Sequence, residues 1–296
     1  MGNQSPERAV LGGVLRWYVA EVSMASPLII AEAGLNHDGS VERAFELVEE
    51  AKHAGADAVK FQTFVPNLLM RPSDPDFDLL ARLAMPFGSF MRIAVHAMDV
   101  GIEFMSTPGD LESLKFLVKE CGIKRVKIGS DDLLNRPLLE AAYCTGLPVI
   151  LSTGMATFDD IDEALIGAGT TGAVTLLHCV SLYPCPSDKV NLRAMETMRK
   201  RYGWDNIGYS DHTVGTLAPV AAAVLRATVI EKHIRLPNTK PIDDAVSISP
   251  SQFAAMVKEI RAVVPMLGDG VKLPCVEEFE ALRKLRKGED GLRGAA

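Results

Sequence analysis

The chain has 296 residues, of which 48% are hydrophobic and 23% are charged, a composition typical of a globular protein that can bury a large core. Its formal net charge of −7 argues against binding to nucleic acid, and no apolar run approaches the ~18 residues that a membrane-spanning helix needs. Five cysteines without a CxxC pair, and an N-terminus without the layout of a secretory signal, predict a reduced, cytoplasmic protein.

Short apolar runs alternate with amphipathic helical patterns along most of the chain. The predicted strands are 28–33, 57–62, 102–107, 125–130, 148–153, 173–179, 206–211 and 228–233. Most of the helical patterns between them end in glycine, as a helix C-terminus should. Eight such strand–helix units fit a closed barrel better than an open doubly wound sheet, so we predict a (β/α)8 TIM barrel as a single α/β domain. No GxGxxG follows the first strand, which argues against dinucleotide binding. We expect an N-terminal extension over 1–26, the barrel over 27–275 and a tail over 276–296.

Polar side chains recur at the carboxyl ends of the predicted strands. In chain order they are Glu32, Lys60, Gln62, Ser106, Thr107, Lys127, Ser130, Ser152, Thr153, His178, Ser210, His212, Glu231 and His233. Strands of a parallel barrel are buried on both faces and should be nearly all apolar. Because the carboxyl ends of barrel strands carry the active site in enzymes with this fold, the pattern predicts a functional site there.

Lys60 and Lys127 lie inside strands, where lysine is rarely found. Two interpretations compete for them. One lysine could form a Schiff base with a carbonyl substrate. Alternatively, both could neutralise a bound phosphate and carboxylate, together with nearby hydroxyl groups. The large number of hydroxyl groups at the strand ends favours the second interpretation.

His212 and His233 follow neighbouring strands and could converge on one metal ion. Glu32 is available across the barrel mouth, and Asp211 could be a ligand or could orient a histidine. Imidazole and carboxylate ligands would suit manganese, zinc, cobalt or iron better than magnesium.

Several motifs, taken in order, resemble the sialic acid synthase family. They are GLNHDG (34–39), KFQT (60–63), EFMSTP (103–108), KIGSDDLLNRPLL (127–139), LSTGM (151–155), LLHCVSLYP (176–184), GYSDHT (208–213) and EKHI (231–234). The resemblance covers about residues 27–275. Members of this family condense phosphoenolpyruvate with N-acetylmannosamine or related hexoses and produce 2-keto sugar acids.

The resemblance implies a role for each candidate residue. Lys60, Lys127, Ser152, Ser181 and Ser210 would hold the phosphate of phosphoenolpyruvate, and Thr107 and Ser130 would face its carboxylate. His212 and His233 would bind a divalent metal, typically Mn²⁺, with Mg²⁺ or Co²⁺ as alternatives. Glu32 would transfer a proton or orient the aldehyde, and Gln62 would orient substrate. Asp132 (or Asp131) would position water, and Tyr183 and Asp243 would contact the acceptor.

The chain departs from the family pattern mainly on the acceptor side. Ser181 stands where the family usually has asparagine, and Asp132 or Asp131 where it often has glutamate. The Gly-Pro-Asp-His segment reads Pro-Ile-Asp-Asp at 241–244, and residues 67–88 lack the usual Tyr-Gln pair. The resemblance stops before the family's antifreeze-like C-terminal domain, which supplies an arginine to the acyl group of the sugar. Family members dimerise partly through that domain, so a homodimer of this chain would need another interface.

The leading hypothesis is a transferase that joins phosphoenolpyruvate to an N-acetylmannosamine-like aldehyde and releases phosphate. One alternative is a metal-dependent aldolase, lyase or hydrolase that uses a different anion. Another is a barrel that binds a ligand without turnover, which four costly buried groups (Lys60, Lys127, His212 and His233) argue against.

Overall fold

The computed structural model describes residues 9–11, 14–16, 26–168 and 174–293. Two short strands come first in the chain, β1 (Ala9–Leu11) and β2 (Val14–Arg16), which pair antiparallel. The rest of the predicted N-terminal extension up to residue 25 lies outside the described residues, as does Ala173 at the start of the predicted sixth barrel strand.

The chain divides into two compact units. Residues 25–264 form one, and residues 1–24 together with 265–296 form the other, whereas the barrel range expected from the sequence was 27–275. The smaller unit contains β1, β2, a helix at Glu278–Leu285 and an isolated bridge between Lys287 and Arg293.

Eight parallel strands form the sheet of the larger unit. They are β3 (Leu28–Gly34), β4 (Ala58–Thr63), β5 (Glu103–Pro108), β6 (Val126–Ile128), β7 (Val149–Ser152), β8 (Val174–His178), β9 (Ile207–Asp211) and β10 (Val229–His233). Hydrogen-bonded neighbours follow the order β5-β4-β3-β10-β9-β8-β7-β6, and β5 lies beside β6 where the circle closes. The predicted TIM barrel and its eight strands are confirmed.

Helices follow the strands around the outside of the barrel. They are α1 (Val41–His53), α2 (Pro66–Leu69), α3 (Phe77–Leu83), α4 (Phe87–Val100), α5 (Leu111–Lys119), α6 (Arg136–Cys144), α7 (Phe158–Ala164), α8 (Ala194–Tyr202), α9 (Leu217–Val224) and α10 (Pro250–Met266). The helix of the smaller unit, Glu278–Leu285, is α11. In α1 the buried residues Ala44, Leu47, Val48 and Ala51 recur at helical spacing, so one face packs on the barrel. Its first turn is capped by the Ser40 hydroxyl, which accepts from the backbone N–H of Arg43.

An apolar layer lies below the polar strand ends. It consists of Ile30, Ala58, Met105, Ile150, Leu177 and Val229, all buried against one another. Each precedes by two positions a residue that lines the cavity described below, because alternate residues of a strand face the same side. The layer fills the middle of the barrel interior and forms an apolar base beneath the polar side chains at the carboxyl end.

Two further expectations concern the whole chain. All five cysteines are free thiols, as their spacing predicts. Within the described residues, no helix combines the length and the apolar character that crossing a membrane requires.

Candidate active site

A cavity of about 570 Å³ opens at the carboxyl ends of the barrel strands, a volume that fits small-molecule sites. Every residue to which the family resemblance assigns a role lines it: Glu32, Lys60, Gln62, Thr107, Lys127, Ser130, Asp132, Ser152, Ser181, Tyr183, Ser210, His212, His233 and Asp243. Asp131 lines it too. The barrel thus brings together residues that lie up to 211 positions apart in the chain.

Two buried lysines and two buried glutamates form the floor of the cavity. Lys60 Nζ lies 2.5 Å from Glu32 Oε2 and 3.6 Å from Glu231 Oε2, and it donates to Thr107 Oγ1 at 3.1 Å. Lys127 Nζ lies 3.9 Å from Glu231 Oε1. Removing ionised groups from water is costly, so these four groups stabilise one another only as a cluster.

The four groups differ in how easily they ionise. Burial raises the pKa of Glu32. Burial also opposes ionisation of Glu231, but Lys127 and Lys60 outweigh it and lower the pKa of this carboxyl. For Lys60, burial is outweighed by Glu231 and Glu32, and the pKa is raised, whereas burial dominates at Lys127 and lowers the pKa. The cluster therefore contains one firmly charged lysine and one whose charge a bound anion would stabilise.

Two hydroxyl groups lie beside Lys127 and its neighbour Glu231. Its Nζ donates to Ser152 Oγ at 2.7 Å and to the Ile128 carbonyl at 3.1 Å, and across the cluster Ser210 Oγ donates to Glu231 Oε1 at 2.9 Å. Because ammonium and hydroxyl donors converge on one region, this part of the cavity can bind an oxyanion.

Gly154 brings a second group of hydroxyls close to the backbone. Its N–H donates to Ser130 Oγ at 2.9 Å, and Ser130 Oγ lies 3.2 Å from Cys179 Sγ. A Cβ at Gly154 would lie 2.8 Å from Ser130 Oγ and would also clash with Ser181 Oγ. Only glycine therefore allows these side chains to approach from β6 and β8 at once.

A second subsite lies around Gly34, at the end of β3. A Cβ there would lie 3.1 Å from Glu32 Oε1, 3.3 Å from Asp243 Oδ2 and 3.6 Å from Gln62 Nε2, and the residue has a left-handed φ of +50°. Asn36 holds the loop that carries Asp243, because its Oδ1 accepts from the Asp243 N–H at 3.4 Å. Three polar side chains predicted to face the acceptor thus converge next to the lysine cluster.

The two histidines face each other at the rim, with ring centroids 5.6 Å apart. His212 Nδ1 is 2.7 Å from the Val180 carbonyl, which can only accept, so Nδ1 carries the hydrogen and Nε2 keeps its lone pair. Burial, and then His233, lowers the pKa of His212 to about 4, so the ring is neutral at pH 7. His233 Nδ1 is buried, has no hydrogen-bond partner among the described residues, and lies 3.5 Å from Asp243 Oδ2.

These histidines fit a divalent metal as two nitrogen ligands. Neutral imidazoles are the ligating form, and the hydrogen bond from His212 to a carbonyl is the usual way to orient such a ligand. Within the described part of the chain, no group of three or more His, Cys, Asp or Glu side chains is arranged to hold a metal. The remaining ligands would therefore be substrate or water.

Asp132 and Asp131 both line the cavity but differ in burial. Asp132 is half-buried and accepts from Asn135 Nδ2 at 2.8 Å, whereas Asp131 is exposed. Burial raises the pKa of Asp132 to about 6, with a smaller contribution from Asp131. A carboxyl that titrates near neutrality beside a substrate cavity suits proton transfer, which favours Asp132 over Asp131.

Some strand-end residues do not face the cavity. Ser106 pairs with Thr63 at 2.7 Å, Thr153 Oγ1 donates to the Leu177 carbonyl, and His178 bonds to the Val190 carbonyl at 2.7 Å. The expectation that all polar strand ends share one site is therefore wrong for Ser106, Thr153 and His178. The side chains of these three residues form hydrogen bonds with other buried polar groups instead.

Several residues that line the cavity were assigned no role from the sequence. Glu231 lies between both lysines, and its position two residues before His233 on one strand could have identified it. An apolar wall over β4 and β5, formed by Phe64, Leu69, Met70 and Leu80, carries no such signal, because its residues come from a loop and two short helices.

Comparison with known proteins gives a consistent result. Residues 47–272 match the NeuB family. The chain is 37% identical over 283 residues to the N,N'-diacetyllegionaminic acid synthase of Campylobacter jejuni, covering 89% of this chain and 84% of that protein. It is 33% identical over 276 residues to the human N-acetylneuraminate-9-phosphate synthase, covering 88% and 76%.

Solved structures agree with these relatives. The crystal structure of an N-acetylneuraminic acid synthetase from Leptospira borgpetersenii, in complex with citrate, superposes with a TM-score of 0.83 at 33% identity and covers 95% of this chain and 97% of that one. A family match over most of the barrel, relatives above 30% identity and a shared fold lead to one conclusion. The chain belongs to the NeuB family.

Proposed function

We propose that this chain condenses phosphoenolpyruvate with an N-acetylmannosamine-like sugar aldehyde to give a 2-keto sugar acid and inorganic phosphate. One observation carries the proposal: two buried lysines, a group of hydroxyls and two imidazoles share a single cavity at the barrel mouth. The relatives named as legionaminic and neuraminic acid synthases support the reaction class.

Phosphoenolpyruvate would bind at the lysine side of the cavity. Lys60, Lys127, Ser152, Ser181 and Ser210 would hold its phosphate, and Thr107 and Ser130 would face its carboxylate. Charge-assisted hydrogen bonds to a buried oxyanion are stronger than neutral ones. The bound anion would also offset the desolvation that lowers the pKa of Lys127 in the free protein.

The bond changes follow from this placement. The C2–C3 π electrons of phosphoenolpyruvate attack the aldehyde carbon, and the aldehyde oxygen takes a proton. Glu32 would donate this proton, because it lies at the acceptor subsite and burial raises its pKa relative to an exposed carboxyl, and Gln62 beside it would orient the aldehyde. Water then adds at C2 and gives its proton to Asp132. The tetrahedral intermediate finally expels phosphate by C–O cleavage, and the C2 hydroxyl gives its proton to the leaving phosphate as the 2-keto group forms.

His212 and His233 would hold a divalent cation, with Mn²⁺ preferred and Mg²⁺ or Co²⁺ as alternatives. When bound, the cation supplies Lewis-acid polarisation of the acceptor aldehyde. Tyr183, whose ring centroid lies 4.1 Å from that of His212, and Asp243 beside His233 would contact the acceptor next to it.

The charges around the acceptor subsite favour an uncharged sugar as the acceptor. Among the described residues, Lys60 and Lys127 are the lysines or arginines that line the cavity, and both belong to its floor. Asp131, Asp132 and Asp243 would repel a phosphate on the acceptor. The apolar wall suits the acyl or deoxygenated part of an amino sugar.

A phosphate-release assay tests the proposal. With phosphoenolpyruvate and Mn²⁺, we expect release only when an aldehyde is added, with N-acetylmannosamine-like sugars favoured over their 6-phosphates and over shorter aldehydes. Mass spectrometry should find the condensed keto acid. His212→Ala and a chelator are the controls, and both should abolish turnover. Formation of a keto acid from pyruvate, without phosphate release, would instead indicate an aldolase and would overturn the proposal.

A further inference from the structure

A fully buried ion pair lies directly beside the two histidines in the chain. Asp211 precedes His212 and Lys232 precedes His233, and neither Asp211 nor Lys232 has any exposed side-chain surface. Lys232 Nζ lies 2.6 Å from Asp211 Oδ2. This pair is not among the residues that line the cavity, so it needs an explanation other than direct contact with substrate.

Both charges are held by further hydrogen bonds. Asp211 Oδ1 accepts from Tyr209 OH at 2.8 Å and from the Thr213 N–H at 3.0 Å, and Oδ2 accepts from Thr213 Oγ1 at 3.1 Å. Lys232 Nζ also donates to the Thr213 carbonyl at 2.5 Å. The network therefore joins the last residue of β9 and the penultimate residue of β10 to the start of the loop that follows β9.

The register of the two strands explains which way these side chains point. Lys232 pairs with Asp211, and Glu231 pairs with Ser210. Because successive side chains of a strand alternate, Ser210, His212, Glu231 and His233 line the cavity while Asp211 and Lys232 face the other side of the sheet.

Asp211 and Lys232 are also the last pair of opposed residues between β9 and β10. The paired residues end at Lys232 and Asp211, so His212 and His233 extend beyond the ladder on adjacent strand ends. His233 also pairs with Glu32 on β3, and His212 Nδ1 bonds to the Val180 carbonyl, but between β9 and β10 the contact next to the histidines is the Asp211–Lys232 pair.

Stability alone does not account for this arrangement. Two charges buried without access to water gain little over a well-packed apolar pair of the same volume, and such a replacement is often neutral or stabilising. An ion pair held by directional hydrogen bonds does, however, restrict the relative position of two strands at the point where it lies.

We propose that Asp211 and Lys232 are positioning residues that fix the separation of His212 and His233 for a divalent cation. The inference rests on the proposed metal site of these histidines. Residues that orient metal ligands affect metal affinity by roughly 10- to 100-fold when they are replaced. The pair acts through the histidines and takes no part in binding phosphoenolpyruvate.

Metal titration tests the inference without relying on activity. Mn²⁺ binding to the metal-free protein is followed by calorimetry and by loss of the free-ion electron paramagnetic resonance signal. For the paired variant Asp211→Leu/Lys232→Met we expect a Kd for Mn²⁺ raised about tenfold or more. The Kd for phosphoenolpyruvate without metal should stay within about twofold. The melting temperature should fall, because Tyr209 OH and the Thr213 N–H lose their acceptor.

A matched control removes an ion pair at the opposite end of the barrel. Arg125 Nε and Nη2 contact Glu103 Oε1 and Oε2 at 2.8 and 3.0 Å, at the amino ends of β6 and β5. Glu103→Gln/Arg125→Met should leave Mn²⁺ binding unchanged. Tyr209→Phe removes one donor to Asp211 with little change in volume, and a Kd for Mn²⁺ raised severalfold in this variant supports the inference even where the paired variant does not fold.

Separate outcomes overturn the two proposals. Suppose that the wild type binds Mn²⁺ and that His212→Ala does not. If the paired variant and Tyr209→Phe then bind Mn²⁺ as tightly as the wild type, the positioning role is wrong, but the metal site is supported. If wild type does not bind Mn²⁺ or another divalent cation, both proposals are wrong.

Discussion

At the residue scale, neighbouring charges decide how each lysine of the floor behaves. Lys60 has carboxylate oxygens at 2.5 and 3.6 Å, whereas the nearest carboxylate oxygen to Lys127 lies at 3.9 Å. The same residue type, buried to the same extent, therefore has its pKa raised at one position and lowered at the other. A bound anion would therefore raise the pKa of Lys127 more than that of Lys60, which already has two carboxylates beside it.

Asp132 should set the acidic limb of the pH profile. Its pKa of about 6 means that it accepts a proton from water only above this pH, so kcat/KM should fall as pH decreases through about 6. Asp132→Asn should remove this limb and lower kcat by about 100-fold or more, the usual contribution of a positioned base. Asp131→Asn is the matched control, and an unchanged profile in Asp132→Asn would contradict the assignment.

At the element scale, close packing of the barrel strands depends on single positions. Gly208 lies in β9, where a Cβ would come within 2.6 Å of both the Val229 carbonyl and Leu177 Cδ2. Backbone and packed side chains on both neighbouring strands cannot retreat easily, because barrel interiors are close-packed.

Gly208→Ala should therefore destabilise the barrel by about 1–3 kcal/mol, the usual cost of overpacking. Gly88 is the control: it lies in α4 and a Cβ there has no neighbour within 4 Å. Gly88→Ala should be neutral or stabilise by up to ~1 kcal/mol, since alanine favours a helix. Chemical denaturation measures both, and equal midpoints for the two variants would refute the packing argument.

At the scale of the whole molecule, ligand binding is coupled to folding stability. A ligand that binds only the folded protein stabilises it, by about 2.7 kcal/mol at 100 times its Kd. Phosphoenolpyruvate should therefore raise the melting temperature of the wild type.

Lys127→Met should weaken phosphoenolpyruvate binding by more than ~1.5 kcal/mol, the value of a charged hydrogen bond. The thermal shift at a fixed ligand concentration should shrink accordingly, and calorimetry gives the Kd directly. Lys52→Met is a control, because Lys52 lies on α1 and its Nζ donates to the Gly101 carbonyl away from the cavity. An unchanged isotherm in Lys127→Met would rule out the anion site.

The sequence by itself determined the fold class and most of the lining of the site. Apolar runs alternating with helical patterns predicted all eight barrel strands, and polar residues at strand ends are visible without coordinates because such residues are costly inside a barrel. Polarity at a strand end does not by itself separate Glu231 from Ser106 or His178, and only the alternation of Glu231 with His233 along one strand sets it apart.

Only the tertiary structure decided which partners each polar residue meets. His178 and Ser106 bond to groups outside the cavity, Glu231 lies between two lysines, and Asp211 and Lys232 form a buried pair 21 positions apart. The physical reason is that hydrogen bonds and ion pairs depend on distances of a few ångströms between strands, which periodicity along one strand does not encode.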